Sequence, residues 1–421
     1  MIARGLVVLA VLLAACSSGV PAGSGPSLVI GAIYPLSGPQ ADGGREELGG
    51  LRAALDVARA ESVPGAGRIE LRVQDVQTPE QARAAVDRFI DRDHVALIIG
   101  TYGSTLSEVA AARADARHVV YWETGAVADG ITAGRGYVFR TVATGGTLGR
   151  MAVRFTQEVL LAGAGLAPAA ARVAIVSVDD VYGSSVADAE EAGARAAGMQ
   201  VVARVRYDPH AYSAEDVANQ VAASHPDYLF DVSYLDDGIA IWRGLLDRHL
   251  PLRAAVGTSS AFCMADFGRE LGGQAVGLYA ADKPDGTVAP GALSPAARLL
   301  LASARRAYAA RTGEKELPIP AVAGFVGGWV LIHDVLASLD GRAVTADALR
   351  RAAYALDLPA GSEINGGGVR FAPPGSPDAG QNQRTVSVVG QWQAVETMRI
   401  VYPATYADAA PRLELSAPRG Q

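Results

Sequence analysis

The stretch from Val95 to Ala126 constrains the fold more than any other. It opens with Val95-Ala96-Leu97-Ile98-Ile99, an apolar run whose length and branching suit a buried strand. Gly100 ends the run, and Thr101-Tyr102-Gly103-Ser104-Thr105 forms a polar turn. An alanine-rich helix over Leu106–Arg117 follows, then a second short strand, Val119–Trp122, and a second small turn, Glu123-Thr124-Gly125-Ala126. The whole reads as one β-α-β unit of a parallel sheet, and ligands of such sheets bind outside the carboxyl ends of the strands. Both turns lie at such ends. Thr105 and Glu108 have capping-box spacing, and Ser104 is an alternative cap. The same helix start offers free N–H groups and a positive dipole end to an anion, and Gly103 lets backbone approach it. Capping and ligand contact both fit the spacing.

The alternation of strand and helix extends to both sides. Leu28–Ile33 and Ile69–Asp75 read as strands, with a polar glycine-rich loop over Gln40–Gly44 and a helix over Glu46–Ala60 between them. The pattern starts afresh after about residue 145, with strands at Arg172–Val178, Met199–Tyr207, Tyr228–Val232 and Ala254–Val256. A chain of 421 residues is long enough for two such lobes. Mainly parallel sheets with both faces covered are therefore expected, an α/β fold. Helices are expected near Pro295–Arg311, Ile319–Leu339 and Thr345–Ala355, a strand pair over Arg384–Val401, and a loose tail from Ala407.

The N-terminus reads as an export signal. Leu6–Leu13 is an unbroken apolar core, too short to span a bilayer. Leu13-Ala14-Ala15-Cys16 resembles the bacterial lipobox, which makes Cys16 the lipidated first residue of the mature chain. Residues 16–27 form a Ser/Gly/Pro-rich tether. No second stretch reads as long and apolar enough to cross a membrane, so the mature protein is expected to be exported, lipid-anchored and otherwise soluble. With Cys16 lipidated, Cys263 is left alone among Phe262, Met264 and Phe267 and reads as a buried packing residue.

Arginine carries nearly all the positive charge; Lys283 and Lys315 are the only lysines, and the net charge is −7. Without a basic run, nucleic-acid binding is not expected. The six histidines show no metal-ligand spacing, and no P-loop, dinucleotide fingerprint or G-x-S-x-G elbow occurs. No metal, cofactor or catalytic residue is expected.

The order of elements, with Gly31–Pro39, Ile98–Thr105, Gly125–Thr132, Phe139-Arg140-Thr141, Tyr182-Gly183 and Tyr234, resembles the periplasmic-binding-protein type I family over roughly residues 28–400. Within it, the chain is similar to branched-chain amino acid (leucine/isoleucine/valine) receptors of ABC transporters. The resemblance implies two Rossmann-like lobes with parallel sheets joined by a three-strand hinge, residues 28–143 plus 285–361 and 144–284 plus 362–405, with a tail over 406–421. It implies crossovers near Ala143–Gly146, Asp282–Gly286 and Gly361–Gly368. It also implies a monomer that captures a small polar solute (amino acid, amide or small carboxylate) between the lobes and hands it to permease subunits. A sensing receptor of the same fold and, more remotely, an exported hydrolase are the alternatives.

Carried over residue by residue, Ser104, Thr105, Gly125 and Ala126 meet a ligand carboxylate, and Tyr234 matches a far-lobe tyrosine. Tyr102, Gly103, Glu123, Thr124, Tyr182, Asp236 and Ser259 complete the expected ligand contacts. Three positions depart from the amino acid receptors. Val127 replaces a threonine hydroxyl, Ser259 sits near the acid that holds the ammonium, and Gly43 sits about where an aromatic residue stacks. A buried ammonium needs a compensating anion. Glu123, Asp236, Asp237 or Asp180 are candidates for it, Glu123 also reading as a solvated rim charge. Tyr102 or Trp122 are candidates for the aromatic wall, Trp122 also reading as core.

Overall fold

The computed structural model describes residues 27–413. Cys16 and the export signal lie outside the described residues. The first lobe opens with β1 (Leu28–Tyr34), α1 (Ala41–Ala60), β2 (Ile69–Asp75), α2 (Pro79–Asp91) and β3 (Leu97–Gly100). It continues with α3 (Ser104–Ala116), β4 (Val120–Glu123) and β5 (Val138–Arg140). These strands pair in the order β2-β1-β3-β4-β5, all parallel. β3, β4 and β5 are buried along their whole length, as expected of parallel strands covered on both faces.

The chain then builds a second lobe. α4 (Gly145–Phe155), α5 (Ala162–Ala164), β6 (Arg172–Val178), α6 (Val181–Ala196), β7 (Gln200–Tyr207) and α7 (Ala214–Ala223) come first. β8 (Tyr228–Val232), α8 (Leu235–Asp247), β9 (Ala254–Thr258), α9 (Ala265–Leu271) and β10 (Tyr279–Asp282) follow. The chain returns to the first lobe for α10 (Pro295–Thr312), α11 (Ile319–Trp329) and α12 (Ala346–Tyr354), then ends in β11 (Val388–Ala394) and β12 (Thr397–Tyr402). The second sheet runs β12-β11-β10-β9-β8-β6-β7, with β11 and β12 antiparallel. Side-chain oxygens of Thr78, Thr144, Asp180, Ser213, Ser294 and Thr345 accept the orphan N–H groups at six helix starts.

Several expectations are corrected. Gln40–Gly44, expected as a loop, enters helix α1 at Ala41. Its glycines reflect tertiary crowding: a Cβ on Gly43 would collide with the Tyr102 ring. The third crossing lies later than Gly361–Gly368. That loop stays on the first lobe, where Ser294 donates to the Gly361 carbonyl at 2.9 Å. Phe371 packs edge-on to Trp122 and Phe139, and Gln381 bridges Arg140, so the chain leaves the first lobe only after Asn382. The segment from Ala407 to Leu413 is not loose. Arg399 pairs with Asp408 at 2.6 Å, and the Gln391 amide oxygen accepts from the Arg412 N–H at 2.8 Å. The continuous run Ile319–Leu339 is long and apolar enough to cross a membrane, contrary to expectation, but it is mostly buried against the first lobe's core. Its apolarity serves packing.

Candidate functional site

The carboxyl ends of β3 and β4 face those of β9 and β10 across the cleft. Glu47, Tyr102 and Gly125 from the first lobe and Ser259, Ser260, Asp282 and Lys283 from the second surround a small cavity. Cys263 and the start of α11 (Ile319, Pro320, Ala323) complete its wall. The space is about 10 Å³, room for about one water. A solute therefore enters only as the lobes part.

Tyr102 closes the cleft. Its ring lies on Gly43, and its hydroxyl reaches Ser260 Oγ of the second lobe at 3.3 Å and Met264 Sδ at 3.7 Å. It thus provides an aromatic wall beside Gly43. Trp122 does not; it is core, donating its indole N–H to the Gly327 carbonyl at 2.9 Å.

The turn after β4 binds an anion, and the anion is the protein's own. Glu123 Oε1 accepts the N–H groups of Gly125 and Ala126, both at 2.7 Å. Oε2 accepts from Thr101 N–H at 3.1 Å, from Tyr121 at 3.2 Å and from Ser107 Oγ. Glu123 is fully buried, so it is neither a rim charge nor free to meet an ammonium. Burial pushes its carboxyl up to about 7, while Ser107 and the three backbone donors hold it from rising further.

Ser104 and Thr105 do not cap α3, whose cap position is Gly103 without a side-chain bond. Ser104 Oγ instead accepts the N–H groups of Val127 and Ala128, at 3.2 and 3.1 Å. Thr105 Oγ1 points across the cleft to Asp180 at 3.5 Å. Asp180 caps α6 and takes the Tyr234 hydroxyl at 2.7 Å. Tyr182 is buried behind the cleft with its hydroxyl on the Thr258 carbonyl, and Asp237 is taken by Tyr207. Asp236 is exposed on an outer groove with Arg243 and Arg269.

Of the twelve expected contacts, Tyr102, Gly125 and Ser259 line the cavity. Glu123 and Thr124 support its wall through their hydrogen bonds to Gly125 and Glu47, whereas Gly103, Ser104 and Ala126 are not part of its lining. Eight lining residues were missed: the polar groups Glu47, Ser260, Cys263, Asp282 and Lys283, and the apolar Ile319, Pro320 and Ala323. Cys263 is buried, as expected.

Glu47 is the most telling of these. It is fully buried on α1. Thr124 Oγ1 donates to its Oε1, whereas Oε2 has no hydrogen-bond partner among the described residues. Gly125 lies close beside it, where a Cβ would displace the Glu47 carboxylate. Burial, and then the neighbouring Glu123, push the Glu47 carboxyl well above the usual range; Lys283 pulls it the other way. Lys283 Nζ pairs with Asp282 at 2.9 Å. Burial works against that ammonium, but Asp282, together with Cys263 and Glu47, outweighs it, and the pKa ends above its ordinary value. Ser259 and Ser260 hold left-handed backbone, φ +60° and +34°, a costly conformation for non-glycine residues that tends to cluster at ligand sites.

Among the described residues, no cluster of His, Cys, Asp or Glu could hold a metal ion. A family model described as periplasmic binding protein matches residues 27–391. The Leu/Ile/Val-binding protein homolog 8 of Brucella abortus (strain 2308) is 27% identical over 412 residues, 97% of this chain and 98% of that protein. Among solved structures, the branched-chain amino acid transporter substrate binding protein LivJ from Streptococcus pneumoniae, in complex with isoleucine, matches with TM-score 0.70 and 18% identity. That match covers 90% of this chain and 100% of the other. An ABC transporter solute binding protein from R. palustris, in complex with benzoate, matches with TM-score 0.72 and 16% identity, over 91% and 98% of the two chains.

Proposed function

We propose, from the premise that this chain belongs to the periplasmic binding protein family, that it is the solute-capturing lipoprotein of an ABC transporter. The family and its structural neighbours are substrate-binding proteins, not enzymes. In this reading Cys16 carries the lipid anchor, the chain acts as a monomer, and permease subunits receive the closed complex. The solute is small and polar: an amino acid, an amide or a small carboxylate. One observation carries the reading. Buried ionisable groups of both lobes, Glu47 and the Asp282–Lys283 pair, converge on one cavity at the strand ends. Closure around a solute follows from contacts made only in the closed form.

The test is a thermal-shift screen of the soluble chain beginning after Cys16. The panel holds branched and aromatic amino acids, amides, urea, small carboxylates and sugars. A ligand at 100 times its dissociation constant adds about 2.7 kcal/mol, a rise of several degrees for a chain of this size. No shift from any member at millimolar concentration overturns the reading.

A further inference from the structure

The backbone donors with which the resemblance would meet a ligand carboxylate are already taken. The Gly125 and Ala126 N–H groups both donate to Glu123, whereas Ser104 Oγ accepts from the Val127 and Ala128 N–H groups. An incoming carboxylate would meet no free backbone donor at Gly125 or Ala126 and would face the Glu123 carboxylate instead. What the first lobe does present is an acceptor. Glu47 Oε2 is buried, unpartnered among the described residues, and part of the cavity wall.

The second lobe presents the opposite chemistry. Lys283 makes one 2.9 Å contact to Asp282, and an ammonium has three N–H donors. Ser259 and Ser260, in the same wall, add two hydroxyls. The start of α11 contributes Ile319, Pro320 and Ala323, an apolar side.

Resting on the solute-binding reading above, we propose that the cleft takes a small aliphatic zwitterion in reversed sense. The ammonium end lies against Glu47 of the first lobe, and the carboxylate end lies against Lys283, Ser259 and Ser260 of the second. On binding, the ammonium draws down the Glu47 carboxyl that burial raises, so Glu47 becomes the buried counter-anion an ammonium requires, and the ligand replaces the partner that Oε2 lacks among the described residues.

The test is calorimetry on the soluble chain with three matched probes: L-leucine, isopentylamine (which lacks the carboxylate) and 4-methylpentanoate (which lacks the amine). Leucine is expected to bind tightest and 4-methylpentanoate weakest. Glu47→Gln should weaken leucine and isopentylamine at least about tenfold, because a charge-assisted bond is lost, and leave 4-methylpentanoate nearly unchanged. Lys283→Met should do the converse. Circular dichroism melts establish that each variant folds. If Glu47→Gln does not, Glu47→Asp decides in the same way, with a loss confined to the amines. A 4-methylpentanoate affinity equal to that of leucine, or an equal loss for all three probes, overturns the reversed orientation. If none of the three binds while another panel compound does, the orientation fails and the solute-binding reading stands; if nothing binds, both fail.

Discussion

The Tyr102 ring stands on Gly43, filling the space into which any larger residue at position 43 would project. An aromatic group is thus present where the resemblance places one, but it is delivered from the β3–α3 turn. Its hydroxyl spans the cleft to Ser260, so the same ring is both wall and latch.

Gly43→Ala sets two effects against each other. Alanine is favoured over glycine in a helix by about 1 kcal/mol, whereas overpacking costs roughly 1–3 kcal/mol. The ring is the rigid partner in the collision, so the melting temperature should fall. The radius of gyration from small-angle scattering should rise as Tyr102 leaves the cleft. A higher melting temperature with unchanged scattering would mean that the ring steps aside freely.

Ser104→Ala should destabilise the ligand-free protein. It strands the Val127 and Ala128 N–H groups, and an unsatisfied buried donor costs roughly 1–3 kcal/mol. Urea unfolding without ligand measures this directly. An unchanged midpoint would show that the two amides find other partners.

Stability should depend on pH through Glu190 in the second lobe. Burial raises its carboxyl from 4.5 to about 8; Thr258 and Arg204 oppose this, and Asp231 adds to it. Burial likewise raises Asp231 from 3.8 to about 7. An acid with a raised folded pKa contributes most below its unfolded value, and the contribution fades as pH rises through the folded value. Glu190→Gln should therefore gain on the wild type between pH 4.5 and 8, by at most about 1.4 kcal/mol per pH unit. Parallel urea curves at all pH values would refute the assignment.

Arg140 ties the third crossing to the first sheet. Fully buried, it donates to Gln381 Oε1 at 2.6 Å and to the Ala128 carbonyl at 2.5 Å. Burial lowers its pKa to about 10. Gln381→Ala removes one acceptor from a buried cation, at a cost of roughly 1–3 kcal/mol. Amide exchange over 380–383 should quicken before that of β11. Uniform quickening across the protein would point to global destabilisation instead.

The strands were legible because burial on both faces writes itself as branched apolar runs, as at Leu97–Ile99 and Val173–Val176. Strand ends located the cleft for the same reason. What stayed hidden depends on partners distant in sequence. Gly43 reads as loop until Tyr102 is placed over it. Glu47 reads as a surface acid, yet it shares a helix face with Gly43 and Gly50 at spacings of four and three, and a small-residue face is a packed one. Lys283 had a fainter signal, as one of two lysines in an arginine-rich chain. Glu123 looked available for a ligand because nothing in sequence shows a side chain folding back onto its own turn.

The last described residues run along the second sheet, with the Tyr279 hydroxyl on the Arg412 carbonyl, whereas Leu28 begins the first. The two ends of the described chain thus ride on different lobes. Dyes on Ser27 and Leu413 would form a ruler for the opening angle, readable one molecule at a time. A surface attached through the leading end would hold one lobe still and leave the other to do all the swinging.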